Sequence, residues 1–504
     1  RTAALLRACG ARAVLAGGSG GSPVDAAVAA AAPELGRLEG PLGEALGSPP
    51  DGRIAGTAEA SAPAPTPASH RPEPGDLALV QFSSGTTANP KPVALTHRAI
   101  LAQVAILNGF WPEEDGVEHR GVSWLPLHHD MGLIGCLFPA LERAGDLALL
   151  PPELFVARPA AWLRAISRHR ATISPAPNFA YGLCAERIRD RELDGVDLSS
   201  WRLALNGAEP VAAGTLRAFA RRFHRWGFRP EALTPVYGLA EAALAVTFSA
   251  IDRPFRSGRF ERDSLAPGRA PRAASGSGGR ELVSLGRPVP GFRVEVRPPA
   301  SGPPGAGAPA RAGAVGRVWI GGPSLMEGYL DRPAETARTL RDGWLDTGDL
   351  GFLRDGELYL TGRAKDLVIL RGRNYGPEEI EAAAARADGA RAAVAVSRLP
   401  EDGHREELIL LVEAARGAGP EEARALPAAL RKRVTEAVDL PPDRVVLLAP
   451  GSLPRTSSGK LRRGEALRRW EAGELPEAAG PDGGAGERAG ALEDEEKAGT
   501  GTGR

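Results

Sequence analysis

Apolar positions recur along this chain in two rhythms, and the places where one gives way to the other outline its elements. Residues 77–82, Leu-Ala-Leu-Val-Gln-Phe, form a near-continuous apolar run of strand length, the pattern of a buried strand. Thr96 then stands at a helix-capping position. Ile100, Leu101, Val104 and Leu107 follow at a spacing that puts them on one helical face. The polar loop at 83–91 is therefore expected between a strand and a helix. Strand-like and helix-like stretches keep alternating until residues 357–361, which end on Gly362-Arg363. Beyond that the pattern changes. A strand is expected at 367–370, and Pro377 opens a helix over 378–387. Strands follow at 392–396 and 408–412, then a helix through 426–438 and a strand at 445–448. About 110 residues of this α+β kind are the size of a separate domain.

Irregular stretches separate these elements. Residues 16–76 are heavy in Gly, Ala, Pro and Ser, with room for a short helix at 23–38, while 253–279 and 298–313 read as surface excursions. The polar, Gly-rich end at 476–504, acidic around 493–496, is expected to be disordered. The expected division is thus an N-terminal body over 1–363, a smaller domain over 364–475 and a tail over 476–504.

Composition narrows the function. A chain of 504 residues is too long for one core. Lys plus Arg and Asp plus Glu both count 62, so net charge gives no reason to expect nucleic acid. No apolar run approaches the ~20 residues that span a bilayer. Cys9, Cys136 and Cys184 show neither pairing nor metal spacing, as befits a reducing cytoplasm. The opening on Arg1, inside a helix-like segment, implies a missing N-terminal piece.

Five short segments carry candidate chemistry. The first is Ser83-Ser-Gly-Thr-Thr-Ala-Asn-Pro-Lys91, in which the hydroxyls of Ser83, Ser84, Thr86 and Thr87, backbone N–H groups and Lys91 could cradle phosphate. It lacks the Gly-Lys-Ser/Thr ending of a Walker loop, and a flexible Ser/Thr turn is the plainer alternative. The last is Leu453-Pro-Arg-Thr-Ser-Ser-Gly-Lys-Leu-Arg-Arg463, which sets Lys460 on a small-residue loop between a strand and a basic helix. Either loop alone could be a solvated turn; together they look like a phosphate cradle and a closing lid. Between them, residues 122–135 hold His128, His129 and Asp130 in a turn. Neighbouring side chains there rarely converge on one ion, so His129 is read as lining a pocket. In Val236-Tyr-Gly-Leu-Ala-Glu241, an aromatic ring and a carboxylate flank Gly238, a pattern suited to base stacking by Tyr237 and Mg²⁺ ligation by Glu241. Residues 342–349 read as turn-rich and end on Asp349, suited to a ribose diol.

In this order the motifs resemble the adenylate-forming superfamily of acyl-CoA synthetases, luciferases and peptide-synthetase adenylation domains, from about residue 77 to 475. Trp124-Leu-Pro-Leu-His-His-Asp-Met-Gly-Leu-Ile-Gly135, Asn206-Gly-Ala-Glu-Pro-Val211 and Arg371-Gly-Arg-Asn-Tyr375 are most similar to fatty acyl-AMP ligases. The resemblance implies an α/β fold: a large N-terminal domain of β-α sheets with a distorted β-barrel, here without its initial βα region, and a small mobile α+β lid. It implies that Ser83, Ser84, Thr86, Thr87 and Lys91 hold ATP phosphates, and that Gly207, Ala208 and Glu209 line the adenine. Tyr237, beside Gly238, would stack on the base and Glu241 would bind Mg²⁺. Asp349 would hold the ribose, Arg363 would support ribose and phosphate, and His129 would border the acyl pocket. Lys365 matches the hinge, and Lys460 the lysine brought to the reacting centre.

The expected reaction is ATP-dependent activation of a medium- or long-chain fatty acid to acyl-AMP with release of pyrophosphate. Transfer to the phosphopantetheine thiol of an acyl carrier protein, or of a polyketide or peptide synthase, would follow. The segment 339–344 is short, as in CoA-forming relatives, so an acyl-CoA synthetase is the alternative. A non-catalytic adenylate- or lipid-binding relative is a third reading, against which stands the joint presence of Glu241, Asp349 and Lys460.

Overall fold

The computed structural model describes residues 71–83, 90–111, 118–251, 253–275, 279–298, 313–364, 368–370, 373–398, 407–415, 420–455 and 461–478, with the backbone pairs 13–14 and 36–37. The chain divides into two compact units, one running from Arg1 to Leu367 and the other comprising Val368–Pro454 and the residues from Leu461 on.

From residue 71 on, the first described element of the first unit is a hairpin. Strand β1 (Leu77–Phe82) pairs antiparallel with β2 (Pro92–Thr96), so the loop between them joins two strands rather than a strand and a helix. Strand β1 is not the buried strand its apolar run implies. It lies at the edge of a three-stranded sheet, with Leu77 47 % exposed, whereas central β2 buries Val93 and Leu95 completely. Helix α1 (His97–Phe110) follows, and Thr96 caps it by accepting from Ala99 N at 3.2 Å. Ile100, Val104 and Leu107 are buried as expected. Leu101 is 62 % exposed, because its neighbour Ile100 already faces the core and a helix turns by about 100° per residue.

The main sheet has seven strands. Strands β3 (Gly121–Ser123), β4 (Leu147–Leu149), β5 (Ile173–Ala176), β6 (Leu203–Asn206) and β7 (Leu233–Gly238) run parallel in the order β4-β3-β5-β6-β7. Helix α2 (Ala160–His169) precedes β5, and α3 (Asn178–Arg187) and α4 (Ala213–Phe223) connect the strands that follow. Strand β8 (Ala245–Phe248) turns back antiparallel to β7, and β9 (Arg287–Pro288) closes the edge. The sheet is buried on both faces: along β6, Leu203 and Leu205 enter one core cluster and Ala204 the other. One cluster is aromatic, with Trp162, Tyr181, Trp201, Phe219 and Phe228 all fully buried.

Strands β10 (Arg293–Arg297), β11 (Gly316–Gly321), β12 (Leu340–Arg341), β13 (Trp344–Arg354) and β14 (Glu357–Arg363) build an antiparallel sheet. Residues 342–349 are mostly strand here. The turn is only Asp342-Gly343, both at positive φ (51° and 74°), as a tight hairpin between twisted strands requires. Residues 253–279 also depart from expectation, since Ser257–Phe260 pairs with Arg280–Val283. Phe260 and Leu265 pack with Leu282, Val315, Phe352 and Tyr359 in a small core of their own.

In the second unit, strands β15 (Ala390–Arg398), β16 (Glu407–Ala414) and β17 (Arg444–Leu448) form one sheet, antiparallel then parallel. Helices α5 (Pro377–Ala384), shorter than expected, and α6 (Pro420–Val438) bury Ile380, Leu430 and Val434 against it. Helix α7 (Arg463–Glu471) is tied to α5 through Arg463, whose Nε donates to Glu381 at 2.7 Å; burial pushes the Glu381 carboxyl up to about 6. Residues 476–478 are not free. Pro476 O accepts from Ala449 N and Ala478 N donates to Leu447 O. Near the N-terminus, Gly36–Arg37 pairs parallel with Ala13–Val14, so the end of the expected 23–38 helix is extended. The rest of 16–70, and residues 299–312, 365–367 and 479–504, lie outside the described residues.

Candidate functional site

Parallel strands deliver their following loops to one edge of a sheet, where open α/β folds bind ligands. Strand β6 ends at fully buried Asn206, whose Nδ2 donates to Asn178 Oδ1 at 3.3 Å. Gly207 follows, where a Cβ would stand 2.6 Å from Val236 Cγ2, and Ala208 adopts φ 66°. That sharp exit aims Glu209 at the start of α3, where its carboxylate accepts from Phe179 N at 2.6 Å. On adjacent β7, Tyr237 is buried and its hydroxyl donates to Asp349 Oδ2 at 2.6 Å. Gly238 comes next, where any Cβ would meet the Leu244 carbonyl.

Asp349 comes from β13, in another sheet. It is 5 % exposed, and its second oxygen accepts from Arg363 Nε at 3.0 Å across the β13–β14 pair. Burial, together with the Asp349 carboxylate, drives the Tyr237 hydroxyl well above its ordinary range, so it stays a donor. The ring expected to stack on a base is thus also the brace of the expected ribose carboxylate.

Glu241 lies on the short turn Ala240–Ala242 after β7, and its Oε1 accepts from Tyr329 Oη at 2.9 Å. Tyr329 reaches it because Gly328–Tyr329 adds to the outer side of β2. Burial first, and Glu241 next, push the Tyr329 hydroxyl far up, so it too remains protonated. Lys91 Nζ stands 4.3 Å from the centre of the same ring and 3.3 Å from Glu335 Oε2. Ser83 closes the hairpin loop: its N donates to Lys91 O at 2.9 Å and its Oγ accepts from Lys91 N at 3.1 Å.

His129 caps a short helical turn. Its Nδ1 faces Met131 N at 3.2 Å and Asp130 Oδ1 at 2.6 Å. Burial, then the neighbouring His129, lowers the His128 pKa. Upstream of this turn, Trp124 stacks on Phe155 at 4.0 Å with Phe179 at 6.0 Å. Among the described residues no group of three or more His, Cys, Asp or Glu is set to hold a metal ion. Ser84, Thr86, Thr87, Lys365 and Lys460 lie outside the described residues.

The structure therefore joins Tyr237, Asp349 and Arg363 in one cluster, and Lys91 with Glu241 through Tyr329 in another. Tyr329 and Glu335 were missed in the sequence. Neither sits in a local motif, and the strand pairing of Tyr329 with Val93 spans most of the first unit.

The AMP-binding enzyme family matches residues 1–330. The chain belongs to that family. As an AMP-binding enzyme of the adenylate-forming superfamily it is a ligase that forms acyl adenylates. It is 40 % identical over 417 residues to a putative acyl-CoA synthetase of Caulobacter vibrioides, covering 79 % of this chain and 69 % of that protein. It is 37 % identical over 429 residues to the long-chain-fatty-acid–AMP ligase FadD26 of Mycobacterium marinum, covering 81 % and 72 %. A solved structure from work on fatty acyl-adenylate ligases of E. coli and L. pneumophila superposes with a TM-score of 0.80 at 35 % identity, covering 94 % of this chain and 82 % of that one. The α/β class agrees with that likeness. No described helix of this AMP-binding enzyme is long and apolar enough to cross a membrane.

Proposed function

We propose that this enzyme activates a medium- or long-chain fatty acid with ATP and passes the acyl group to the phosphopantetheine thiol of an acyl carrier protein, alone or within a polyketide or peptide synthase. The observation that carries the nucleotide reading is the cluster of Tyr237, Asp349 and Arg363, a buried carboxylate held in place at the sheet edge by two donors. A carboxylate fixed in this way is ready to accept from the two hydroxyls of a ribose without reorganising. Gly207, Ala208 and Glu209 would border the adenine, with Tyr237 against its face. Lys91, Ser83, Ser84, Thr86 and Thr87 would face the phosphates, with Arg363 reaching ribose and phosphate, and His129 would border the acyl chain.

In this reading the fatty carboxylate attacks the α-phosphorus and pyrophosphate leaves. Both reactants are anionic, so the protein works by positioning and by offsetting charge. Glu241 fits Mg²⁺, since only Oε1 is given to Tyr329 and one carboxylate with phosphate oxygens is a common Mg²⁺ set. The ion would offset phosphate charge during pyrophosphate departure. Lys460 would bridge the carboxylate and the α-phosphate as a point charge, brought there and withdrawn by rotation at Lys365 within a C-terminal lid over 364–475.

One observation favours a second reading, formation of the CoA thioester. The two-residue turn Asp342-Gly343 leaves this hairpin as short as in CoA-forming relatives. Pyrophosphate release with dodecanoate tests the first step, and Lys460→Ala should slow it by on the order of 10² to 10³. Absence of release with every fatty acid tried would point instead to an adenylate-binding protein. Supplying CoA and holo-carrier protein in parallel separates the acceptors; rapid CoA acylation with an idle carrier protein would overturn the first choice.

A further inference from the structure

Glu335 belongs to none of the motifs above, yet its carboxylate is divided between two cations. Oε2 faces Lys91 Nζ at 3.3 Å and Oε1 faces Arg332 Nη1 at 3.3 Å. Its helix, Pro333–Thr339, is fastened to the strand carrying Tyr329 because Thr336 Oγ1 accepts from Tyr329 N at 2.9 Å. The Tyr329 ring in turn lies under the Lys91 ammonium, and its hydroxyl holds Glu241. Lys91, Arg332, Glu335 and Glu241 thus form a group of four charges that sums to zero.

We propose that Glu335 is a positioning residue that occupies Lys91 in competition with nucleotide phosphate, and that Arg332 is the partner that retains the carboxylate when Lys91 turns to ATP. This rests on the reading of Lys91 as a phosphate ligand. The pair can exchange because both side chains meet solvent, Lys91 at 25 % and Glu335 at 37 % exposure, where screening keeps an ion pair weak. A terminal phosphate offers more charge and more oxygens than one carboxylate, so it wins the ammonium. Losing Lys91 does not strand Glu335, since Arg332 already faces its other oxygen. The contact thus sets how much nucleotide is needed, while the Tyr329 ring keeps Lys91 beside Glu241 in either state.

The test is the Kd of MgATP for the full chain, by calorimetry without fatty acid. Glu335→Gln should tighten binding by about two- to fivefold, the reach of a partly exposed ion pair. Arg332→Gln, which leaves the carboxylate wholly to Lys91, should weaken it. Lys91→Ala should weaken it too, and should abolish the gain from Glu335→Gln when the two are combined. An unchanged Kd in Lys91→Ala would sink the phosphate reading of Lys91 and this proposal with it. Weakening by Lys91→Ala with no gain from Glu335→Gln, or a gain that survives in the double variant, would overturn the proposal alone. A purely structural role for Glu335 gives no gain.

Discussion

At Asp349 both carboxylate oxygens are engaged from inside the protein, by Tyr237 at 2.6 Å and Arg363 at 3.0 Å, and the side chain is 7 % exposed. At Lys91 the partner is a carboxylate 37 % exposed, shared with a second cation, and the ammonium itself remains 25 % exposed. The first arrangement is bound into the core: Tyr237 belongs to the same buried cluster as Val318 and Ile320 on β11 and Leu345 on β13, the strand that carries Asp349. The second hangs from a hairpin loop and a short helix. On the proposed reading Asp349 accepts from two neutral hydroxyls, and it gains from rigidity because no rearrangement has to precede those hydrogen bonds. Lys91, proposed to meet a mobile polyanion, gains from exchangeable partners, because charge attracts at longer range and the ligand must also leave.

Four substitutions can break or sharpen that contrast. The largest effect belongs to Asp349→Ala, which leaves a buried tyrosine hydroxyl and a guanidinium without their acceptor. The stranded Tyr237 hydroxyl costs about 1–3 kcal/mol and the lost pair with half-exposed Arg363 up to about 1 kcal/mol more, so urea unfolding should shift clearly even without ligand. Stability equal to the parent would end the claim of a pre-set carboxylate. Tyr237→Phe keeps the ring and loses one donor to a buried charge, for about 1.5–3 kcal/mol in the same experiment. Arg363→Gln touches the same carboxylate from a side chain that is half exposed, so screening should hold its cost to about 1 kcal/mol or less. Lys91→Ala comes last in stability, within about 0.5 kcal/mol of the parent, although MgATP affinity falls. If Lys91→Ala destabilised the protein as much as Asp349→Ala, the two regions would be built alike.

Much of this was legible in the sequence where local chemistry decides. Thr96 caps its helix, residues 392–396, 408–412 and 445–448 lie in strands, and the order of motifs pointed to an adenylate-forming enzyme. The errors fell where a neighbour from elsewhere in the chain decides burial. Strand β1 reads as buried by composition, yet it is the edge of its sheet because β2 takes the central place. Residues 253–279 read as loose, yet Phe260 finds Phe352 at 5.1 Å, ninety-two positions further along.

The sequence by itself determined which residue types the chain carries and the intervals between them. From these the capping threonine follows, since it depends on a few consecutive residues, and so does the family, since the motifs keep their order along the chain. Only the tertiary structure decided that the Tyr237 hydroxyl meets Asp349, that Tyr329 holds Glu241, and that Glu335 occupies Lys91. Those contacts bridge 112, 88 and 244 positions. No local rule of propensity or periodicity reaches so far; the register between strands does.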